Sequence, residues 1–341
     1  MIRQNFNADW TVEKGDGNSR MNSFLGNTQT KTVHLPYDAM IHEARTPDTK
    51  NGAQTGFYPG GEYIFQKHFT APQAWQGKPV SLVFEGVYQT ALVYLNGWLL
   101  TRNVNGYAEF TVEAGPYLKY GADNLLKVIA DNSLEPNSRW YTGSGIYRPV
   151  RLLVGNKVYL PQDTVRITTR EADEGFALLD VTAQVQSAST VTERVTLQQT
   201  ICREGTAVLT DRQNLLLQPG ENRTVSFRYC VDSPALWSPE NPNLYTSTMQ
   251  VLEGEEELDR EETGFGIRTL SIDAAHGVRI NGQTVKLRGA CIHHDNGILG
   301  AATLPDAEER RIRQLKEAGF NAIRSSHHPA GRALLDACDR Y

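Results

Sequence analysis

The sequence predicts a mainly β protein: a jelly-roll β-sandwich, then an immunoglobulin-like β-sandwich, then the first βα units of a TIM-type (β/α)8 barrel. Three observations carry this prediction. Short apolar strands broken by Gly and Pro turns fill roughly the first 155 residues. Clean two-residue alternation runs from about 158 to 268. The chain then closes with a strand, loop, helix, strand and loop, and a histidine pair follows each strand. The boundaries fall at 1–157, 158–270 and 271–341.

In the first unit, turn signals recur at Tyr58-Pro-Gly-Gly61, Glu85-Gly86, Asn96-Gly97 and Gly115-Pro116. Ala91, Val93 and Leu95 fall on one face of a strand, and Asn96-Gly97 is the dipeptide of a type I′ hairpin. Asn124 to Asp131 alternates in the same way, and no helix-period stretch competes. Antiparallel strands at this spacing fit a jelly roll.

The second unit alternates more strictly. Ala177, Leu179, Val181, Ala183 and Val185 share one face, as do Val225, Phe227, Tyr229 and Val231. One apolar and one polar face is the pattern of a half-buried antiparallel strand. Several such strands within about 110 residues argue an immunoglobulin-like sandwich. The bend from Trp237 to Tyr245, with Pro239 and Pro242, reads as structural. Seven acidic residues against one Arg between Glu253 and Glu262 read as a solvated hairpin rather than a metal site.

In the last unit, an apolar run ends at Arg288-Gly289, and His293-His294-Asp295 follows. Asp306, with Glu309 three residues on, is a capping-box pattern for a helix bearing Ile312, Leu315 and Ala318, which Gly319 ends. A second strand, Phe320 to Arg324, leads into Ser325-Ser326-His327-His328-Pro329. Leu334, Leu335 and Cys338 mark the apolar face of a second helix. In α/β barrels the chemistry sits at the C-terminal ends of the strands.

Composition bounds the partners. Hydrophobic residues at 40% and charged residues at 21% describe an ordinary globular chain. A net charge of −5 gives no reason to expect nucleic acid or an anionic membrane. The first ten residues lack the apolar core of a signal peptide, so a cytoplasmic location is expected. Cys202, Cys230, Cys291 and Cys338 are widely spaced and read as free thiols, with a Cys202–Cys230 bridge as the alternative.

The Arg288-Gly289 and His293-His294-Asp295 motif, followed by Asn321 to Pro329, resembles the start of the catalytic barrel of glycoside hydrolase family 2. That family holds β-galactosidases, β-glucuronidases and β-mannosidases. The resemblance extends upstream through Phe84-Glu-Gly86, Tyr94 to Gly97, Arg139 to Arg148, and the Trp237 bend. It implies a retaining glycosidase acting on a β-linked saccharide, most simply a β-galactosidase. The alternatives are a β-glucuronidase or β-mannosidase, or a carbohydrate-binding module that does not cut.

The resemblance also implies roles for single residues. His293 and His327 donate to sugar hydroxyls, and Arg324 steadies catalytic carboxylates. His294 and Asp295 are weaker candidates for sugar contacts. Trp140, with Tyr141, offers a flat face on which a pyranose stacks; packing between domains is the competing reading of Trp140. Some members carry an Asp just ahead of this Trp, where here stand Asn137, Ser138 and Arg139. The family's two catalytic Glu residues sit on later barrel strands, so no catalytic residue is expected in this chain and it is expected to be inactive alone. Some members use Mg or Na near the pocket, which leaves the cofactor open. A zinc site of the histidines is disfavoured, because adjacent residues of an extended segment point to opposite sides. Two βα units alone expose strand edges and helix faces. The last 60 or so residues are therefore expected to pack poorly or to be covered by another copy, which leaves a homo-oligomer open.

Overall fold

The computed structural model describes residues 1–15, 30–134 and 136–341. In the first unit, Ile2–Asn5, Val150–Val154, Val80–Phe84 and Phe110–Glu113 form a four-stranded sheet. A six-stranded sheet runs in the order Lys31–Val33, Trp10–Gly15, Gly61–Thr70, Asp123–Asn132, Thr90–Leu95 and Trp98–Asn103. Both sheets feed one apolar core, in which Trp10, Phe65, Leu82, Phe84, Val93 and Leu126 are sealed from solvent. Each fully buried aliphatic side chain of this kind stabilises the fold by about 1.5–3 kcal/mol. Ala91, Val93 and Leu95 all point inward, as their spacing predicts. Asn96 and Gly97 both take positive φ, +52° and +89°, as a type I′ turn requires.

The second unit holds two sheets around its own core. One is centred on Phe176–Ser187, paired with Arg166–Ala172 and Asn222–Asp232. The other runs Thr206–Leu217, Glu193–Arg203, Tyr245–Glu253 and Glu256–Phe265. The predicted alternating residues from Ala177 to Val185 are all buried. The acidic run forms the hairpin of the last two strands. One of its members, Asp259, turns inward and accepts from the Met1 amine at 2.7 Å and from the Leu160 amide at 2.7 Å. The Trp237 bend joins this sandwich to the end of the chain: Trp237 Nε1 donates to the Asp339 carbonyl at 2.8 Å, and the Arg268 guanidinium lies 4.4 Å above the indole ring. All four cysteines are unpaired thiols.

A three-stranded sheet, Leu270–Asp273, Gly277–Ile280 and Gln283–Thr284, turns at Asn281-Gly282 and leads to the last unit. There Gly289–Ile292 (here β1) pairs in parallel with Ala322–Ser325 (β2), with Cys291 opposite Arg324. Pro305–Glu317 forms helix α1 between them, and Arg332–Arg340 forms α2 after β2. Asn321 fixes the start of the pair. Its Oδ1 accepts from the Arg288 amide at 2.7 Å, and its Nδ2 donates to the Lys286 carbonyl at 3.1 Å. Gly289 is needed where the strands meet, because a Cβ there would lie 2.8 Å from the Ala322 carbonyl oxygen.

Three expectations for this unit change. Asp306 does not cap α1. The N-cap is Leu304 with Pro305 at the first helical position, where a missing N–H costs nothing, and Asp306 sits inside the first turn. Glu309 does not close a capping box but pairs with Arg340 and the Tyr341 hydroxyl. Leu335 is 54% exposed, and the buried stripe of α2 is Leu334 and Ala337. The expectation of a loosely packed tail is only partly met. Ile312 and Leu334 are buried in a small core with Ala337, while Leu315 is half-buried and most of β1 is exposed.

This unit is also tied to both sandwiches. Arg332, opening α2, donates hydrogen bonds to both carboxylate oxygens of Glu109 of the first sandwich at 3.0 Å. It also donates to Asp163, at the head of the second, at 2.9 Å. Arg148, buried in the first sandwich, donates to its own unit's Tyr107 carbonyl at 2.8 Å and to the Pro329 carbonyl after β2 at 2.9 Å. No helix among the described residues is long and apolar enough to cross a membrane.

Candidate active-site rim

The residues after β1 and β2 converge with one loop of the first sandwich. The Arg324 guanidinium, on β2, reaches His327 Nδ1 at 2.8 Å, Ser326 Oγ at 3.4 Å and Cys291 Sγ at 3.6 Å. A guanidinium only donates, so His327 Nδ1 must accept. The proton of His327 is thereby assigned to Nε2, which becomes a fixed N–H donor. Hydrogen bonds from Ser326 and Arg324 hold the Cys291 thiol below its ordinary pKa.

Trp140 lies across from these groups. Its ring centroid is 5.2 Å from that of His293, inclined by 30°, and 5.8 Å from that of His327. The His293 and His327 rings stand 6.0 Å apart, nearly perpendicular. Trp140 Nε1 donates to the Tyr107 hydroxyl at 3.2 Å. The structure thus brings together Trp140, His293, Arg324 and His327, four of the six residues singled out in the sequence. Trp140 packs across the junction between the first sandwich and the barrel loops and is half-buried there.

His294 stands apart from the cluster. It is buried against Tyr107 and Tyr147. Its Nε2 donates to the Thr142 carbonyl at 2.8 Å, and its Nδ1 lies 3.2 Å from His328 Nε2. Both ring nitrogens are engaged, so the expected sugar contact has no free atom to make it. Burial pushes its pKa down to about 3, with the charges of His328 and Arg148 acting the same way, so the ring is neutral. His328 stacks on Tyr107 at 4.2 Å with the planes 6° apart. Asp295 contributes its main-chain carbonyl, which accepts from Arg311. Among the described residues no group of three or more His, Cys, Asp or Glu is arranged to hold a metal ion.

Sequence reasoning missed Tyr107, Arg148, His328 and Asp38 as parts of this junction. Arg148 and His328 lay inside motifs already in view. Tyr107 and Asp38 sit in loops without periodicity, and only the packing of distant segments brings them here.

The same motifs match known domain profiles. Residues 158–268 match "Glycosyl hydrolases family 2", residues 10–176 match "Glycosyl hydrolase 2 galactose-binding domain-like", and residues 274–341 match "Glycosyl hydrolases family 2, TIM barrel domain". The chain belongs to glycoside hydrolase family 2. Among relatives of this family, Beta-galactosidase BoGH2A of Bacteroides ovatus is 37% identical over 99% of the chain, which covers 40% of that protein. A beta-galactosidase of Thermoanaerobacter pseudethanolicus is 27% identical over 98% of the chain and is covered to 44%. Among solved structures, a family 2 member from Bacteroides cellulosilyticus superposes with a TM-score of 0.93 at 35% identity, over all of this chain and 45% of that one. A Bacteroides uniformis beta-glucuronidase superposes with a TM-score of 0.88 at 27% identity, over 99% of this chain and 41% of that one. The chain therefore spans less than half the length of these family 2 relatives.

Proposed function

We propose that this chain is the N-terminal part of a retaining β-glycosidase, most simply a β-galactosidase, and that it builds one rim of the sugar pocket. The observation that carries the reading is the meeting of Trp140 with His293, Arg324 and His327 at the C-terminal ends of two consecutive parallel strands. An indole face suits the apolar face of a pyranose. The His327 Nε2–H suits a sugar hydroxyl. The Arg324 charge favours the ionised form of a carboxylate placed beside it.

Glycoside hydrolysis with retention uses two carboxyl groups about 5 Å apart. One attacks the anomeric carbon while the other protonates the departing oxygen, and water then releases the sugar. In this reading later barrel strands supply both groups, and Asp295 is neither. The 341-residue chain alone is accordingly inactive.

The test is hydrolysis of chromogenic β-galactoside, β-glucuronide and β-mannoside by the full-length protein and by the 341-residue chain. Turnover of the β-galactoside by the full-length protein alone is expected. Preference for the β-glucuronide would move the substrate assignment to the activity named for the Bacteroides uniformis relative. Inertness toward all three, or turnover by the short chain, would sink the reading.

A further inference from the structure

One buried carboxylate underlies the loop that carries Trp140. Asp38 is 2% exposed and accepts four hydrogen bonds from three separate stretches of chain. Its Oδ1 takes the Met40 amide at 3.0 Å and the Ser144 amide at 3.0 Å. Its Oδ2 takes the Tyr141 hydroxyl at 2.6 Å and the Ala301 amide at 2.8 Å. Met40 belongs to its own turn, Tyr141 and Ser144 follow Trp140 in its loop, and Ala301 lies in the loop between β1 and α1.

The packing leaves room for nothing else. A Cβ on Gly300, at φ +60°, would stand 2.2 Å from Asp38 Oδ2. A Cβ on Gly143, at φ +66°, would stand 2.4 Å from the Ala301 Cβ and 2.9 Å from the same oxygen. The two loops therefore come as close to the carboxylate as bare backbone allows. Three of the four donors are amides, which cannot turn round to accept. Both oxygens must accept, so the site demands a carboxylate and not an amide.

We propose that Asp38 is a positioning residue for the sugar-facing rim. It ties the Trp140 loop of the first sandwich to the first loop of the barrel, and so sets Trp140 over His293. The proposal rests on the glycosidase reading for its consequence, and on the four bonds alone for its geometry. Asp38→Asn discriminates well. With its oxygen kept toward Met40 and Ser144, the new NH2 faces Tyr141, which can rotate to accept, and Ala301, which cannot.

Two measurements test it. In the 341-residue chain, Asp38→Asn is expected to speed hydrogen exchange at the Ala301 amide about tenfold or more by local opening. The Trp140 indole N–H resonance, assigned with Trp140→Phe, is expected to shift. In the full-length protein the same variant is expected to raise KM for the cleaved glycoside about tenfold with kcat within about twofold, the pattern of lost uniform binding. If Asp38→Asn does not fold, Gly300→Ala presses a methyl group on the same oxygen and is expected to give the same exchange and KM changes. Unchanged Ala301 exchange, or a lower melting temperature with the indole signal and KM intact, overturns the proposal. If the wild-type protein cleaves none of the three glycosides, the glycosidase reading fails separately, while the exchange and indole signals still judge the tie.

Discussion

His293 and His327 differ from His294 and His328 by one position along the chain, yet the two pairs have opposite fates. His293 and His327 face each other beside Trp140, and Arg324 sets the proton of His327. His294 and His328 turn the other way, into the seam between sandwich and barrel, where a carbonyl and two tyrosine rings enclose His294. Neighbouring side chains in each loop thus point to opposite sides, one toward Trp140 and one into the structural seam. Adjacent identical residues in such a motif should not be assigned one role.

The largest effect should fall on the buried pair. His294→Ala removes an enclosed ring and strands the Thr142 carbonyl. It should destabilise the chain by about 2–4 kcal/mol in denaturant unfolding. His327→Ala, on the open side, should cost well under about 1 kcal/mol there. Equal losses from the two would erase the distinction.

Acid should sharpen it next. The folded-state pKa of His294, about 3, lies below its unfolded value of 6.5. Between those values the unfolded chain binds the extra proton, so stability falls as pH drops through that window. Down to pH 4 the loss attributable to this ring is about 3 kcal/mol. A unfolding series from pH 7 to pH 4 should show a slope that flattens in His294→Gln. The same slope in both proteins would assign the acid sensitivity elsewhere.

A subtler difference should appear in the proton positions. Long-range nitrogen–proton spectra should report His327 and His294 both protonated on Nε2, the first because of Arg324 and the second because of the Thr142 carbonyl. Arg324→Met should release only His327 into a tautomer mixture. The smallest effect should come from Tyr107→Phe. It keeps the stack on His328 and removes the acceptor of Trp140 Nε1, at a stability cost of about 1 kcal/mol. Its signature should be a moved Trp140 indole resonance with the His294 signals in place.

Much of this was legible in the sequence, for physical reasons. Strand alternation in the second sandwich and the Asn-Gly turns at Asn96 and Asn281 depend on neighbours along the chain, which a sequence displays directly. The family motif placed His293, Arg324 and His327, and the parallel register of Cys291 with Arg324 agrees with it. Which histidine of each pair would meet Trp140 was harder, because that depends on the walls supplied by Tyr107 and Thr142 from distant segments. Asp306 misled because capping-box spacing is local, while Pro305 set the helix start two residues earlier. Asp38 was invisible, since its four donors come together only after the sandwich and the barrel loop have met.

The grip of Arg332 on Glu109 and Asp163 has a consequence for synthesis. Chains emerge N-terminus first, and domains tend to fold as units in that order. Both acidic partners leave the ribosome well over a hundred residues before Arg332 does. The two sandwiches thus offer a finished socket to a helix that has just been made. Ribosome-stalled chains carrying Glu109→Gln should leave the segment after Leu304 open to protease for longer than the unaltered ones.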